Sequence, residues 1–387
     1  MDIVEFCSKI NTWIKNNIAI ILILLFYISE AANKYFEFTT GYYSIIPRTI
    51  KLSVMLYISF SLFRRKDFKF FKITGTLIIC YLLGQYFLNI SFSNNSILVL
   101  GRYLYPLLLF RFFTKYQLNK KQSKSLFQVF ESLIAFNSLL IILGFMFGVA
   151  LFETYSGNRF GYNGLLLTSS TASYVYIITL FYFILKYKLN PKFDYKFFLI
   201  LSSCLLIGTK SLYLVFLAII VYMISSKFPS RKSKIISVLI FALLSVSTLY
   251  ILFYQVEFFS SLREERGLLS VFLSFRDILL VRDVIPYINE NWTALNYLFG
   301  GVHDISTQSE MGFIDTFYFW GIIGGLFYLT AYYKLFFTFK FNSILLFFIL
   351  LLIFVIFIAG NFFFYSTIPI YLIVFRERVL DYFYNKT

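Results

Sequence analysis

Residues 343–360 read SILLFFILLLIFVIFIAG and contain no charged side chain. A helix needs about 20 apolar residues to cross the hydrocarbon core of a bilayer. Backbone N–H and C=O groups find no water there, so a spanning segment of this composition is expected to be an α-helix. This stretch predicts a membrane protein.

Comparable apolar runs recur along all 387 residues, of which 59% are hydrophobic and only 14% charged, with a mean hydropathy of +0.76. Soluble globular domains do not have this composition. We predict an all-α fold, a polytopic transmembrane helical bundle in which residues 1–387 form one integral membrane domain. The first run lacks a small-residue cleavage site and is expected to be a retained span rather than a signal peptide. The twelve predicted spans are 18–33, 44–63, 70–90, 96–113, 126–151, 168–186, 195–209, 211–226, 235–254, 313–333, 343–360 and 362–375.

Basic residues are concentrated in alternate loops between these spans. Lys and Arg mark the cytoplasmic side of membrane proteins, so both termini are predicted to be cytoplasmic. The basic runs assigned to that side are Arg64 to Lys66, Lys120 with Lys121, Lys186 to Lys196, Lys227 to Lys234, and Arg376 with Arg378.

The net charge of +16 does not indicate a nucleic-acid-binding protein, because the charge is divided among short loops instead of forming a basic face on a soluble domain. Cys7, Cys80 and Cys204 are odd in number and scattered, which indicates neither a disulfide framework nor a cysteine metal site.

One external connection is much longer than the others and covers residues 254–312. Loops of this length are usually functional when they lack linker composition. Within it, the apolar spacing over 271–286 predicts one amphipathic helix at the membrane surface. Arg276 and Arg282 would decorate that helix as candidate ligands for a diphosphate, and a salt bridge between Arg276 and Asp283 is the structural alternative.

Two further cations lie on the predicted external side. Arg159, in SGNRFGYNG, has a guanidinium that can hold phosphate oxygens in a bidentate manner, or it is an arginine that snorkels at a helix end. Lys210, in GTKS, is either a point charge that helps to hold a diphosphate or a plain turn lysine.

The segment 296–325, NYLFGGVHDISTQSEMGFIDTFYFWGIIGG, gathers polar residues at the start of the tenth span. Glu310 lies just outside that span, where a general base or a partner of a substrate hydroxyl would be useful. Asp315 lies just inside and is either a substrate contact or a first-turn carboxylate that stabilises the helix. His303, the only histidine, cannot build a histidine metal site, and GIIGG indicates close helix packing.

Four motifs in this order resemble the O-antigen ligase and polymerase superfamily of bacterial envelope glycan enzymes. They are NRFGYNGLLLTSSTASY (158–174), GTKSLYL (208–214), FLSFRDILL (272–280), and the pair LNYLFGGV (295–302) and SEMGFIDTFYFWGIIGG (309–325). Together with the twelve predicted spans, the resemblance covers most of the chain.

The resemblance implies a metal-independent glycosyltransferase without a cofactor, in the bacterial inner membrane, that uses polyprenyl-diphosphate-linked oligosaccharides at the periplasmic face. Membrane lipid and a chain-length regulator protein are the other partners implied. Arg159 and Arg276 correspond to its diphosphate-binding arginines, Lys210 to the cation of its SR or SK turn, and Glu310 to a polar or acidic position of the polymerase branch. Catalytic roles therefore fall on Glu310, Arg276 and Arg159.

The ligase branch carries a histidine near Ser309 or Glu310, whereas the histidine of this chain is at position 303. This difference favours a polymerase of surface polysaccharide units over a ligase that transfers the glycan to lipid A-core. A flippase or transporter of lipid-linked glycan is a further alternative, although such proteins place charges near the midplane and have two related halves.

Overall fold

The computed structural model describes residues 3–89, 94–155, 159–192, 194–227, 230–303 and 307–384. These residues form helices and connecting turns, and no β-strand occurs among them. The helices are α1 (Ile3–Thr40), α2 (Ile46–Arg64), α3 (Phe68–Tyr86), α4 (Asn94–Lys115), α5 (Lys120–Phe147), α6 (Ser169–Leu189), α7 (Tyr195–Leu206), α8 (Lys210–Lys227), α9 (Arg231–Gln255), α10 (Glu257–Leu273), α11 (Arg276–Leu279), α12 (Ile285–Asn291), α13 (Asn296–Phe299), α14 (Gly312–Phe336), α15 (Ser343–Ala359) and α16 (Ile368–Tyr384).

The helices confirm the all-α class and fit a membrane bundle. Seven segments of the described chain are long and apolar enough to cross a membrane: Asn16–Thr40, Ile46–Arg64, Asn95–Lys115, Lys120–Phe147, Ser169–Leu189, Val238–Gln255 and Gly312–Phe336. Three shorter apolar helices are Tyr195–Leu206, Lys210–Met223 and Ser343–Ala359. The spans predicted at 70–90 and 362–375 correspond to α3 and α16, which are helical but belong to neither group. The count of twelve spans stays a prediction.

The centre of the bundle is α6, in which every residue from Thr171 to Leu185 is buried. Helix α16 packs along it and is itself buried over most of its length. A helix that is buried on all sides needs no amphipathic pattern, and the apolar residues of α6 accordingly lie on every face of the helix.

Two predicted boundaries are wrong. The last span was predicted to begin at residue 362, but residues 361–367 form turns and α16 begins at Ile368, with Pro369 in its first turn, a position that proline favours. The single amphipathic helix predicted over 271–286 is broken at Ser274 and Phe275, both of which have positive φ angles of 55° and 69°. Helix α10 ends there and α11 begins at Arg276.

Glycines in 296–325 serve close packing, as GIIGG predicted. Gly321, at φ 67°, interrupts the helical geometry of α14, and a Cβ there would lie 2.4 Å from the backbone of Leu298 and Phe299. The end of α13 therefore rests directly on the kink in α14.

Candidate functional site at the amino ends of α4, α6, α14 and α16

Three cations from distant parts of the chain meet beside the amino end of α6. Arg159 comes from the loop before α6, Lys210 from the start of α8, and Arg276 from the start of α11. Each lies within electrostatic range of the other two. We call Arg159, Lys210 and Arg276 the first cationic group. The sequence placed them on one side of the membrane, and the structure brings them together.

Arg159 is held by aromatic rings. Its guanidinium carbon lies 3.7 Å from the ring centroid of Tyr155 and 5.5 Å from those of Phe258 and Phe259. Its Nε is buried and has no hydrogen-bond partner among the described residues. Burial, with a smaller contribution from Arg276, lowers the pKa of Arg159 from its ordinary value. Because arginine keeps its proton in proteins, this side chain is a desolvated cation.

Lys210 is also enclosed by rings, with its Nζ 4.7 Å from the centroid of Phe259 and 5.6 Å from that of Phe253. The ammonium donates a hydrogen bond to the carbonyl oxygen of Val271, in the last turn of α10. No carboxylate lies within salt-bridge distance of Lys210 or Arg159 among the described residues. Their charges are thus stabilised by aromatic faces and a carbonyl, and not by a counterion.

Arg276 contacts the residue predicted to act as the base. Its Nε donates to the carbonyl oxygen of Glu310 at 2.9 Å, and its Nη2 lies 3.5 Å from the carboxylate of Glu310. A third donor, Nη1, bonds the carbonyl oxygen of Leu273 at 3.1 Å. The Arg276 side chain is 14% exposed, whereas that of Glu310 is 40% exposed, so the carboxylate faces the open side of the group.

The backbone at Glu310 is fixed by a close contact with the end of α15. Glu310 has a φ of 58°, and Gly360 has a φ of 57°. A Cβ at Gly360 would lie 1.4 Å from the carbonyl oxygen of Glu310, so only glycine fits there. Tyr174 of α6 donates a hydrogen bond to the carbonyl oxygen of Gly360 at 3.0 Å. Helices α15 and α6 therefore set the position of Glu310.

The loop that carries Arg159 is tied to α1 and α5. Buried Lys34 donates from its Nζ to the carbonyl oxygens of Glu153 and Gly164 at 3.1 and 2.7 Å, and also to the side chain of Asn163. Asn137 of α5 donates to the carbonyl oxygen of Asn163 at 3.2 Å. These hydrogen bonds hold both ends of the loop. The sequence did not identify Lys34 as a residue that positions it.

Replacing Lys34 with methionine is expected to lower the free energy of unfolding by about 2–4 kcal/mol, because two buried acceptors and one partly buried acceptor would lose their donor. Unfolding in mixed SDS and detergent micelles measures this change. Lys188→Met is the matched control, since Lys188 is exposed at the end of α6. Equal stability of the two variants would contradict the proposed anchoring of the loop.

Arg282, a predicted site residue, lies outside the first cationic group. Arg282 is 67% exposed, and its Nε and Nη2 pair with the carboxylate of Asp283 at 2.8 and 2.9 Å. The predicted alternative pairing of Arg276 with Asp283 is wrong, because Arg276 lies against Glu310 and Asp283 pairs with Arg282. The π-helical turn Leu280–Val284 changes the α-helical spacing that the pairing assumed. Arg282 does not join the first cationic group.

Asp315 is buried in the first turn of α14, at 7% exposure. One carboxylate oxygen accepts hydrogen bonds of 2.7 Å from both the backbone N–H and the hydroxyl of Ser309. These bonds fix Ser309, the residue that precedes Glu310. Asp315 therefore positions the predicted base through its neighbour in the chain. The backbone N–H of His303 donates to the hydroxyl of Tyr287 at 2.9 Å, away from Glu310.

A second set of cations lies at the same end of the bundle, and sequence reasoning missed it. Arg48 and Lys51 are three residues apart on α2, and Lys51 lies within electrostatic range of Arg48, of Arg102 on α4 and of Glu30 on α1. The guanidinium of Arg102 stacks on Phe364 at 4.1 Å. We call Arg48, Lys51 and Arg102 the second cationic group.

Tyr365 lies within electrostatic range of members of both regions, namely Glu310, Arg102 and Glu30. Its hydroxyl also lies near Thr168, the residue that caps α6. Burial raises the pKa of Tyr365 to about 12, so the phenol is protonated at neutral pH. This neutral hydroxyl therefore lies within electrostatic range of both Glu310 and Arg102.

The opposite end of the bundle has a different charge balance. There Arg111 pairs with Asp67 and Arg376 with Glu377, and Lys186 lies between two carboxylates, at 2.7 Å from Glu131. Arg378 pairs with Asp381 at 2.9 Å. Partly buried cations thus have carboxylate partners at one end, whereas at the other end Arg159, Lys210, Lys51 and Arg102 have none within salt-bridge distance among the described residues.

The described residues contain no group of three or more His, Cys, Asp or Glu side chains placed to hold a metal ion. The side chains that converge at the first cationic group are instead donors suited to phosphate oxygens, beside one exposed carboxylate. In comparison with known proteins, the chain matches no family model, no curated sequence and no solved structure.

Proposed function

We propose that this protein is a membrane glycosyltransferase that polymerises polyprenyl-diphosphate-linked oligosaccharide units, at the face of the bacterial inner membrane where the first cationic group lies. The observation that carries the proposal is the convergence of Arg159, Lys210 and Arg276, to which the described residues add one carboxylate within salt-bridge distance, that of Glu310. Charges at membrane depth are costly and tend to mark a site. Three cations held together by aromatic rings and carbonyls favour a ligand of multiple negative charge.

A diphosphate leaving group has that charge. Arg159 and Arg276 can each present two N–H groups to phosphate oxygens, and Lys210 adds a point charge. The like charges repel one another by an amount on the order of 1–2 kcal/mol per pair, which a bound diphosphate would remove. Because the donors are already in place, they stabilise the charge that develops on the leaving oxygen without reorganisation.

The reaction proceeds by attack of a sugar hydroxyl of one lipid-linked unit on the anomeric carbon of a growing chain. A new C–O bond forms there, the bond between that carbon and the diphosphate oxygen breaks, and the electron pair leaves with the polyprenyl diphosphate. The hydroxyl proton passes to the carboxylate of Glu310. A diphosphate on Arg276 competes for the Nη2 that now contacts Glu310 at 3.5 Å, and so frees the carboxylate for this role.

The test is reconstitution of the purified protein in liposomes with lipid-linked repeat units and no ion gradient. We expect the glycan to lengthen, as read on a gel. Translocation of the lipid without chain growth would favour a flippase and contradict the proposal. In a strain that lacks the gene, loss of a polymerase leaves lipid core with one repeat unit, whereas loss of a ligase leaves bare core and polymer on the polyprenyl carrier.

The proposal requires the first cationic group to face the periplasm. Reporter fusions after Arg65, Lys121, Lys188 and Lys232 are expected to report the cytoplasm. Fusions near Arg159 and Ser270 are expected to report the periplasm. A cytoplasmic signal at either of the last two positions would place the cations on the wrong side for a periplasmic polymerase.

A further inference from the structure

The second cationic group also brings together three cations, and the proposed leaving-group site does not use it. Arg102 is half-buried against Phe364, Lys51 is half-buried, and Arg48 is exposed at the outermost turn of α2. Lys51 lies within electrostatic range of one carboxylate, that of Glu30, which is 5% exposed. Glu30 is partly committed, because one of its oxygens accepts a hydrogen bond of 2.7 Å from Thr367.

The location of this group is at the boundary between protein and lipid. Helix α2 buries only a narrow stripe, formed by Pro47, Val54, Ile58 and Leu62. Its other side chains are largely exposed, among them Leu52, Leu56 and Phe60 at about 60%. A helix with this apolar exposure lies against acyl chains. The cations near its first turn are then at the depth of lipid headgroups, with Arg48 outermost.

A single structural lysine or arginine at such a depth would snorkel to the interface or pair with a carboxylate. Arg102 does neither, since its guanidinium is turned inward onto Phe364, in the segment that joins α15 and α16. Arg48 and Lys51 lie on the same face of α2, because residues three apart in a helix are neighbours. Helices α2 and α4 are in contact, and the three side chains lie within electrostatic range of one another beside the acyl phase.

We infer that Arg48, Lys51 and Arg102 form a second anion site, which takes the phosphate headgroup of a lipid that enters laterally from the bilayer. The chemistry fits a phosphate because arginine supplies paired N–H donors and lysine a point charge. The identity of the lipid rests on the proposed function: a polymerase must hold two lipid-linked substrates, and this group would hold the diphosphate of the acceptor. Tyr365 lies within electrostatic range of Arg102 in the second group and of Glu310, which pairs with Arg276 of the first group.

The test counts ligands on the full-length protein in detergent by native mass spectrometry, with farnesyl diphosphate as the probe. We expect two bound molecules on the wild type and one on Lys51→Met with Arg102→Met. The matched control is Arg64→Met with Lys115→Met, which removes one cation from each of the same two helices at their opposite ends. The control should keep two. Two molecules bound to the Lys51 and Arg102 variant would overturn the inference.

Two further probes identify the source of the phosphate. If phosphatidylglycerol displaces one farnesyl diphosphate from the wild type and binds less to the Lys51 and Arg102 variant, the site takes a phospholipid headgroup. If neither phosphatidylglycerol nor inorganic pyrophosphate displaces it, the site takes a polyprenyl diphosphate. Displacement by pyrophosphate alone would reject the lipid part of the inference, because no acyl or polyprenyl chain would then be needed.

Failure of the proposed function has a separate signature. Suppose that Arg159→Ala with Arg276→Ala still binds two ligands while the Lys51 and Arg102 variant binds one. The assignment of the leaving-group site to the first cationic group would then be wrong, and the second site would still be supported. A charge-keeping exchange, Lys51→Arg with Arg102→Lys, guards against misfolding and should bind two molecules. If the ligand-free melting temperatures of both variants at Lys51 and Arg102 lie far below that of the wild type, these two cations have a structural role and the inference is rejected.

Discussion

Arg276→Ala is expected to lower the polymerisation rate by about 10²–10³-fold, the loss measured when one preorganised donor to developing charge is removed. Arg276→Lys keeps the charge but loses the paired N–H donors, and its rate is expected to fall by about 10–100-fold, equivalent to about 1.5–3 kcal/mol for one charged hydrogen bond. Chain growth in liposomes measures both effects, with the amount of folded protein determined in parallel.

The matched control for Arg276→Ala is Arg282→Ala. Arg282 lies six residues further on, has the same charge and is exposed beside Asp283. We expect this control, and also Asp283→Ala, to retain nearly full activity, because exposed ion pairs contribute little.

A purely structural role for Arg276 has a distinct outcome. If Arg276 does no more than pair with Glu310, the exchange Arg276→Glu with Glu310→Arg should restore much of the activity by rebuilding the pair. The proposed mechanism expects no recovery, since the exchange removes both the base and the diphosphate donor from their positions. Recovery of the rate would therefore rule out the assigned roles.

Gly360→Ala is expected to abolish chain growth and to lower stability by more than about 4 kcal/mol, a loss seen only for severe backbone or core defects. The backbone at Gly360, with φ 57° and ψ 176°, is in a region that residues with a Cβ avoid. The added Cβ would also overlap the carbonyl oxygen of Glu310, which bonds Arg276. Relief of this overlap must displace Glu310.

The control for this substitution is Gly41→Ala. Gly41 also has a positive φ, of 72°, but nothing lies within 4 Å of its Cβ position. The pair of variants separates backbone strain from the contact with Glu310, and melting temperature with activity gives the readout. If Gly360→Ala is as stable and as active as Gly41→Ala, the close approach of α15 to Glu310 has no functional importance.

The helices were predictable because hydrophobic runs of about 20 residues have one solution in a bilayer. Sequence reasoning also identified Arg159, Lys210 and Arg276 as the external cations to weigh. The proximity of these three residues could not be predicted, because the local sequence does not indicate that the loop before α6, the start of α8 and the start of α11 meet.

The partner of Arg276 was missed for a specific reason. Helical spacing over 271–286 placed Arg276 and Asp283 two turns apart on one α-helix, whereas the structure breaks that helix just before Arg276 and has a π-helical turn at Leu280–Val284. Ser274 and Phe275 adopt left-handed backbone angles, which residues other than glycine rarely do. No glycine or proline marks the break, so the sequence offered no signal for it.

The second cationic group was missed because its members fell inside or beside predicted spans. Arg48 and Lys51 were counted as part of the span 44–63, and Arg102 as part of 96–113. A cation inside an apolar run is itself a signal of a site in membrane proteins, and three of them in spans two and four could have been noted together. Position alone could not show that α2 and α4 lie side by side.

The burial of α6 has a consequence for biogenesis. Fifteen successive residues of this helix, Thr171 to Leu185, are enclosed in the finished protein, partly by α16. Helix α16 begins at Ile368, which is 179 residues after the end of α6 at Leu189. At about 5–20 residues per second, the ribosome needs roughly 10–40 s to make that interval.

During this time the polar groups of α6, among them Thr179 and Tyr182, face lipid or the insertion machinery instead of their neighbours in the folded protein. The contacts of Tyr174 with Gly360 and of Thr367 with Glu30 also wait for the last helices. A chain that stops before α16 therefore exposes its most buried helix and lacks a finished site. Synthesis of α16 is the step that converts an inserted but open bundle into one with a complete site.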